Sequence, residues 1–114
     1  MNKFELEHIG INTENEKEAL ALAELLSSIF NLTPRHGQKS EFAGDYFECM
    51  KSPYLGKNGH IAMRTSDLEN AVKELEGKGI KFNQDTAAYD ENHQLKNIYL
   101  DGEYGGFAIH ILRK

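Results

Sequence analysis

The chain has 114 residues, with 13 basic and 18 acidic side chains and a net charge of −5, which is the size of one domain of about 50 to 250 residues. An acidic chain without a Lys/Arg cluster is not expected to bind nucleic acid. No apolar run approaches the ~18 residues that cross a bilayer, and the first residues lack a signal-peptide core. We therefore expect a cytoplasmic protein without membrane contact, and its single cysteine, Cys49, excludes an internal disulfide.

The first element is a strand pattern that occurs twice. His8-Ile-Gly-Ile-Asn-Thr13 recurs 52 residues later as His60-Ile-Ala-Met-Arg-Thr65. Each copy precedes apolar residues spaced three and four apart, which predicts an amphipathic helix. The capping-box spacings Thr13-x-x-Glu16 and Ser66-x-x-Glu69 predict where the two helices begin. We expect the first helix to end near Asn31 and the second at Gly77 and Gly79.

Short strand patterns follow each helix. They are 35–39, 41–44 and 45–51 after the first helix, and 80–84, 95–100 and 107–112 after the second. A turn-rich linker, 53–59, separates the two halves. The sequence thus predicts one α+β domain over residues 1–114, made of two βαβββ modules at about 1–53 and 59–114.

The alternation of side chains along strands sorts the polar residues. In the first and last strand of each module, an aliphatic or aromatic pair occupies one face. On the opposite face, at equivalent places in the two repeats, stand His8, Glu48, His60 and His110. Any one of them alone is more often a hydrogen-bonded structural histidine or a solvated carboxylate. Their joint placement favours a single site.

Three imidazoles and a carboxylate suit a divalent first-row ion. The set is compatible with Zn²⁺, Ni²⁺, Co²⁺, Fe²⁺ or Mn²⁺ and does not choose among them. An ion with five or six ligands would keep a coordination position open for catalysis.

These residues resemble the vicinal-oxygen-chelate superfamily, which contains glyoxalases, bleomycin-resistance proteins and extradiol dioxygenases. The resemblance spans nearly the whole chain and rests on His8 in Glu7-His-Ile-Gly10, Glu48 in Phe47-Glu-Cys-Met50, His60 in Gly59-His-Ile-Ala62, and His110 in Ile109-His-Ile-Leu112. It implies that the modules curl into a cup of mixed sheet, and that the four residues bind a metal. It also implies a small-molecule substrate and a homodimer.

The leading functional expectation from the resemblance is a glyoxalase-like lyase or isomerase. The oxygens of a carbonyl substrate would chelate the metal, which would stabilise an enolate. Glu48 and His110 would be the catalytic residues. The family commonly has glutamate where this chain has His110, and that glutamate serves as base, so the reaction class stays open. The alternatives are a sequestration protein of the bleomycin-resistance type, which needs no metal, and, less favoured, an extradiol-type dioxygenase.

The remaining polar residues are assigned by their neighbours in sequence. Tyr46 and Met50 flank Glu48, and Arg64 shares a face with His60, so we expect all three to line the substrate pocket. A surface salt bridge is an equal alternative for Arg64. The other side chains that could carry chemistry are expected outside the site: His36 and His93 in solvent, and Cys49 buried as an inert thiol.

Overall fold

The computed structural model describes residues 2–114 and gives this part of the chain eight strands and two helices. The first module contains β1 (Glu5–Asn12), α1 (Glu16–Phe30), β2 (Pro34–His36), β3 (Ser40–Ala43) and β4 (Phe47–Met50). The second contains β5 (Gly59–Thr65), α2 (Leu68–Gly77), β6 (Phe82–Tyr89), β7 (Leu95–Leu100) and β8 (Phe107–Arg113).

All eight strands form one mixed sheet in the order β2-β3-β4-β1-β5-β8-β7-β6. β1 and β5 pair antiparallel at its centre, and each has the last strand of its own module parallel beside it. The register repeats: Gly10 pairs with Glu48 in the first module, and Ala62 pairs with His110 in the second. The predicted α+β fold of two βαβββ modules is confirmed, with a pseudo-twofold axis between β1 and β5.

Each helix covers its own module with an apolar face. In the first module Ala19 and Ala23 pack with Ala43 and Cys49. In the second module larger side chains do the same, namely Leu68, Val72, Phe82, Leu95, Ile98 and Ile111. Burying these faces leaves the polar side chains of the central strands on the opposite face of the sheet.

The helix starts differ from the predicted capping boxes. Asn15 caps α1 by accepting a hydrogen bond from the Glu18 backbone, and Asp67 caps α2 in the same way from Asn70. The hydroxyl of Thr13 instead donates to the Met50 carbonyl at 2.6 Å, which joins β1 to β4. The capping-box prediction was wrong because Asn and Asp are also good caps and lie closer to the first helical turn.

Strand lengths were predicted less well than strand order. β2 begins at Pro34 and ends at His36, and β6 extends to Tyr89, well beyond the predicted 80–84. β6 is polar and irregular in register against β7, so apolar alternation does not mark its end. Of the two helices in the described residues, neither is long and apolar enough to cross a membrane.

Candidate metal centre

The two central strands bring the first-strand histidines together. His8 on β1 and His60 on β5 lie two register positions apart across the antiparallel pair, where His60 stands opposite Gly10. The His60 ring lies over this glycine: a Cβ at Gly10 would come within 2.0 Å of His60 Cε1. The glycine in the first copy of the repeat therefore makes the room that the His60 imidazole occupies.

The last strand of each module adds one more side chain. Glu48 on β4 and His110 on β8 flank the central pair from opposite sides. One ring nitrogen from each of the three histidines lies within 4.8 Å of the other two. Glu48 Oε1 is 3.2 Å from His8 Nε2 and 3.1 Å from His60 Nε2. The structure thus brings the three histidines together, with Glu48 beside His8 and His60.

These atoms lie at hydrogen-bonding distances that also match the spacing of ligands around one ion. His8 Nε2 and His60 Nε2 are 3.2 Å apart, and both face the same carboxylate oxygen. Donor atoms about 2.0 Å from a tetrahedral zinc ion lie about 3.3 Å apart, close to the spacing seen here.

Buried nitrogen atoms without hydrogen-bond partners also favour a bound metal ion. Among residues 2–114, His110 Nε2 and His60 Nδ1 are buried without a hydrogen-bond partner. An unsatisfied buried polar atom is costly, and a metal bound by His110 Nε2 would satisfy one of the two. The donor set is also the kind that first-row divalent ions prefer. The residues therefore fit a metal ion, whose identity they do not fix.

The protonation states of the site are compatible with metal binding. Burial disfavours the ionised form of Glu48, but hydrogen bonds from His60, His8 and Ser40 outweigh it and hold the pKa of Glu48 well below its usual range. Burial, aided by His60 and His8, lowers the pKa of His110 to about 3. At neutral pH the site therefore presents a carboxylate and a neutral imidazole, the forms that bind metal.

The four side chains lie in a cavity of about 670 Å³ on the polar face of the sheet. His60 and His110 are buried, whereas His8 is partly exposed. The other lining residues come from the segment before β3, from the end of β4 and the segment after it, and from β7: Gln38, Lys39, Met50, Lys51, Ser52, Pro53, Tyr54, Asn97 and Tyr99. A small organic molecule has room beside the metal-ligating atoms.

Two of the three predicted pocket residues lie elsewhere, while Met50 lines the cavity as expected. Tyr46 is 51% exposed and borders a separate depression, because β4 begins only at Phe47 and the alternation does not extend into the preceding turn. Arg64 pairs with Glu5 at 3.1 Å and with Glu7 at 3.4 Å. The salt-bridge alternative for Arg64 is the correct one.

The residues that were expected outside the site are outside it. His36 is exposed and contacts Glu41, and His93 lies in an exposed turn with a positive φ of 62°. Cys49 is fully buried, and burial raises its pKa to about 11, so the thiol is unreactive.

Three residues that contact the site were not identified from the sequence. Ser40 Oγ donates to Glu48 Oε2 at 2.7 Å. Asn97 Oδ1 is 2.6 Å from His110 Nδ1, and the Tyr99 ring stacks on His110 with centroids 4.3 Å apart and planes 7° apart. Asn97 and Tyr99 alternate with the core residue Ile98, and that alternation was the available signal for both.

No family model matches the sequence, whereas solved structures share the fold. One is a hypothetical protein, BH1468, from Bacillus halodurans C-125, with a TM-score of 0.62 and 17% identity over 98% of this chain and 95% of that chain. Another is methylmalonyl-CoA epimerase from Mycobacterium tuberculosis, with a TM-score of 0.61 and 16% identity over 95% of this chain and 86% of that chain. Similarity at this level establishes the fold alone, and this fold is the one that the resemblance to vicinal-oxygen-chelate proteins implies.

Proposed function

We propose that the chain is a metal-dependent isomerase or lyase of the vicinal-oxygen-chelate type, acting on a small substrate with a carbonyl group. The observation that carries the proposal is the convergence of one nitrogen from each of three histidines within 4.8 Å, beside a carboxylate, in a cavity with room for a ligand. The fold shared with an epimerase supports an isomerase at the level of general chemistry.

In this proposal His8, His60 and His110 hold a divalent ion, with Glu48 as the fourth ligand. A bound ion would act as a Lewis acid that polarises a substrate carbonyl and acidifies the adjacent C–H bond. Zn²⁺, Ni²⁺, Co²⁺, Fe²⁺ and Mn²⁺ are all consistent with the ligand types. The cavity beside the histidines would hold the rest of the substrate.

The proton has to be moved by a residue that reaches the cavity. Among the described residues, Glu48 is the only acidic residue that lines it, and we assign proton transfer to the Glu48 carboxylate. Its low pKa weakens it as a base, and this effect comes from hydrogen bonds that the imidazoles donate. With a metal held by His8 and His60 through Nε2, those hydrogen bonds would be absent, and Glu48 would accept the proton while released from the ion.

His110 has a different role from Glu48. Its neutral, buried imidazole is suited to holding a metal rather than to exchanging protons. We therefore place His110 in the ligand set, and we propose that its influence on turnover is exerted through the metal.

The test is metal loading followed by a proton-exchange assay. Apo-protein is titrated with each of the five ions, and solvent deuterium incorporation is followed next to the carbonyl of 2-oxoaldehyde hemithioacetals and of α-branched acyl thioesters. We expect metal-dependent exchange that is lost in Glu48→Gln. His8→Ala and His60→Ala should lower metal affinity by at least about 100-fold, while the matched controls His36→Ala and His93→Ala should bind metal like the wild type.

Two other results would contradict the proposed isomerase or lyase activity. Tight binding of a small ligand without turnover, and without sensitivity to a chelator, would contradict the proposal and support a sequestration protein. Ring cleavage of a catechol by the Fe²⁺-loaded protein would instead support the dioxygenase alternative.

The homodimer and the cytoplasmic location that were expected from the sequence stay predictions. Light scattering of the purified protein measures the oligomeric state, and fractionation of the producing cells measures the location.

A further inference from the structure

The residues around the candidate metal centre repeat the symmetry of the sheet. In β3, Ser40 pairs with Met50, and in β7, Asn97 pairs with Leu112. Two residues further along, Phe42 stands opposite Glu48, and Tyr99 stands opposite His110. Ser40 and Asn97 therefore occupy equivalent positions in the two modules, one strand outside the residue that each of them contacts.

Ser40 and Asn97 each contact the far atom of a side chain in the candidate metal centre. The far atom is the one turned away from the cluster formed by His8, Glu48, His60 and His110. Ser40, only 2% exposed, donates to Glu48 Oε2 and leaves Oε1 to face His8 and His60. Asn97 contacts His110 Nδ1 and leaves Nε2 buried and unpartnered within residues 2–114.

We infer that Asn97 and Ser40 are positioning residues for the metal centre: Asn97 fixes the tautomer of His110, and Ser40 fixes which oxygen of Glu48 faces the cluster. This inference rests on the proposed function for its metal. The part that concerns the tautomer of His110 applies to the metal-free protein as well.

The tautomer follows from the two ends of the His110 ring. If Asn97 accepts from Nδ1–H, then Nε2 carries a lone pair directed at the cluster. If Asn97 donated to Nδ1 through its amide nitrogen, Nε2 would carry a hydrogen buried without an acceptor and directed at two other imidazoles. The first arrangement leaves a lone pair that a metal can use, whereas the second leaves an unsatisfied donor.

Tyr99 limits the movement of the same ring. It stacks almost parallel on His110, is 6% exposed, and stands opposite it in the register. Stacking restrains the plane of the imidazole, and the hydrogen bond at Nδ1 then sets its rotation within that plane. In the first module the equivalent position also holds an aromatic residue, Phe42.

The first experiment reads the tautomer of His110 without any metal. Long-range ¹H–¹⁵N spectra of the apo-protein should give a protonated Nδ1 and an unprotonated Nε2 for His110. Asn97→Asp, which can only accept, should keep that pattern, while Asn97→Ala should shift His110 toward the Nε2–H form. A wild-type His110 that carries its hydrogen on Nε2 would overturn the inference.

The second experiment measures Zn²⁺ affinity by competition with a chromophoric chelator. Loss of an outer hydrogen bond to a ligand typically lowers metal affinity by about 10–100-fold. We expect a loss in this range for Asn97→Ala and for Ser40→Ala. Asn97→Asp should stay within about threefold of wild type, and the neighbouring exposed residue gives the control Lys96→Ala, which should have no effect.

A double-mutant cycle separates positioning from a general structural effect. If Asn97 acts through His110, Asn97→Ala should cost nothing further in Zn²⁺ affinity once His110 is alanine, and Ser40→Ala should cost nothing once Glu48 is alanine. Full additivity in either cycle would overturn the role of that residue. If wild-type protein binds no Zn²⁺ or other ion, the proposed function fails, and the apo-protein spectra still decide the tautomer of His110.

Discussion

The two modules have the same backbone plan and different chemistry. The register places Gly10 beside Glu48 in the first module, as it places Ala62 beside His110 in the second. The first module contributes the partly exposed His8 and an anionic carboxylate, whereas the second contributes two buried imidazoles. The symmetry therefore sets where the four side chains meet, and the residue types make one half of the site charged and open and the other neutral and buried.

The most direct test of this difference is the glycine that His60 covers. In Gly10→Ala the new methyl group would overlap the imidazole, so His60 must leave its position. We expect Zn²⁺ affinity to fall by at least about 100-fold and the free energy of unfolding to fall by about 1–3 kcal/mol from overpacking. Competition titrations and urea unfolding measure the two losses.

The matched control is at the equivalent position of the other module. Ala62 pairs with His8, which is partly exposed. Ala62→Gly should leave Zn²⁺ affinity within about threefold and cost about 1 kcal/mol of stability, the usual penalty of glycine in a strand. Equal losses of Zn²⁺ affinity at the two positions would show that His8 and His60 depend equally on the residues opposite them.

The hydrophobic cores of the modules should differ as well. Leu68 in the second module and Cys49 in the first are both fully buried, but Leu68 packs among large side chains and Cys49 among alanines and helix residues. We expect Leu68→Ala to cost about 3 kcal/mol and Cys49→Ala about 1 kcal/mol in urea unfolding. A larger loss at Cys49 would contradict this ranking.

The pH dependence of the metal-free protein separates His110 from Glu48. The pKa of His110 falls from 6.5 to about 3 on folding, so between these values the unfolded chain binds the extra proton. Stability should therefore decrease as the pH falls from neutral toward 3, by up to about 1.4 kcal/mol per pH unit. Glu48 acts in the same direction, but only below its unfolded pKa of 4.5.

Urea unfolding at several pH values from 7 to 5 tests this without involving Glu48. We expect His110→Gln to remove most of the slope in that range, and Glu48→Gln to leave it in place. A slope that survives in His110→Gln would mean that another group, and not the buried histidine, binds the proton.

The sequence predicted the module order and the four side chains of the cluster because both depend on local patterns. Strand alternation and a repeat offset are enough to place His8 and His60 on one face. It did not predict Ser40 or Asn97, since a hydrogen bond between neighbouring strands requires the register, and the register depends on turns. The prediction that Tyr46 lines the pocket was wrong for the same reason. The turn at Gly44, with a φ of 64°, interrupts the alternation of side chains before β4 begins.

Helix starts were mispredicted for a different physical reason. Several residues that can cap a helix stand next to one another at each start, and the free-energy differences among Thr, Ser, Asn and Asp as caps are small. Which of them caps the helix depends on what else each can contact, and Thr13 contacts the Met50 carbonyl.

The smallest expected effect concerns the last pair of equivalent residues, Asn12 and Arg64. Asn12 Nδ2 donates to the Gly56 carbonyl at 2.9 Å and so ties the 53–59 segment, which carries the cavity residue Tyr54, to β1. Asn12→Ala leaves that carbonyl without its partner and should cost about 1 kcal/mol. Arg64 is partly exposed and pairs with Glu5 and Glu7, and ion pairs that reach solvent are screened by water and salt. Arg64→Ala should therefore match the wild type in urea unfolding and in Zn²⁺ titration. A loss of metal affinity in Arg64→Ala would return Arg64 to the cavity and contradict the assignment of this side chain to the surface.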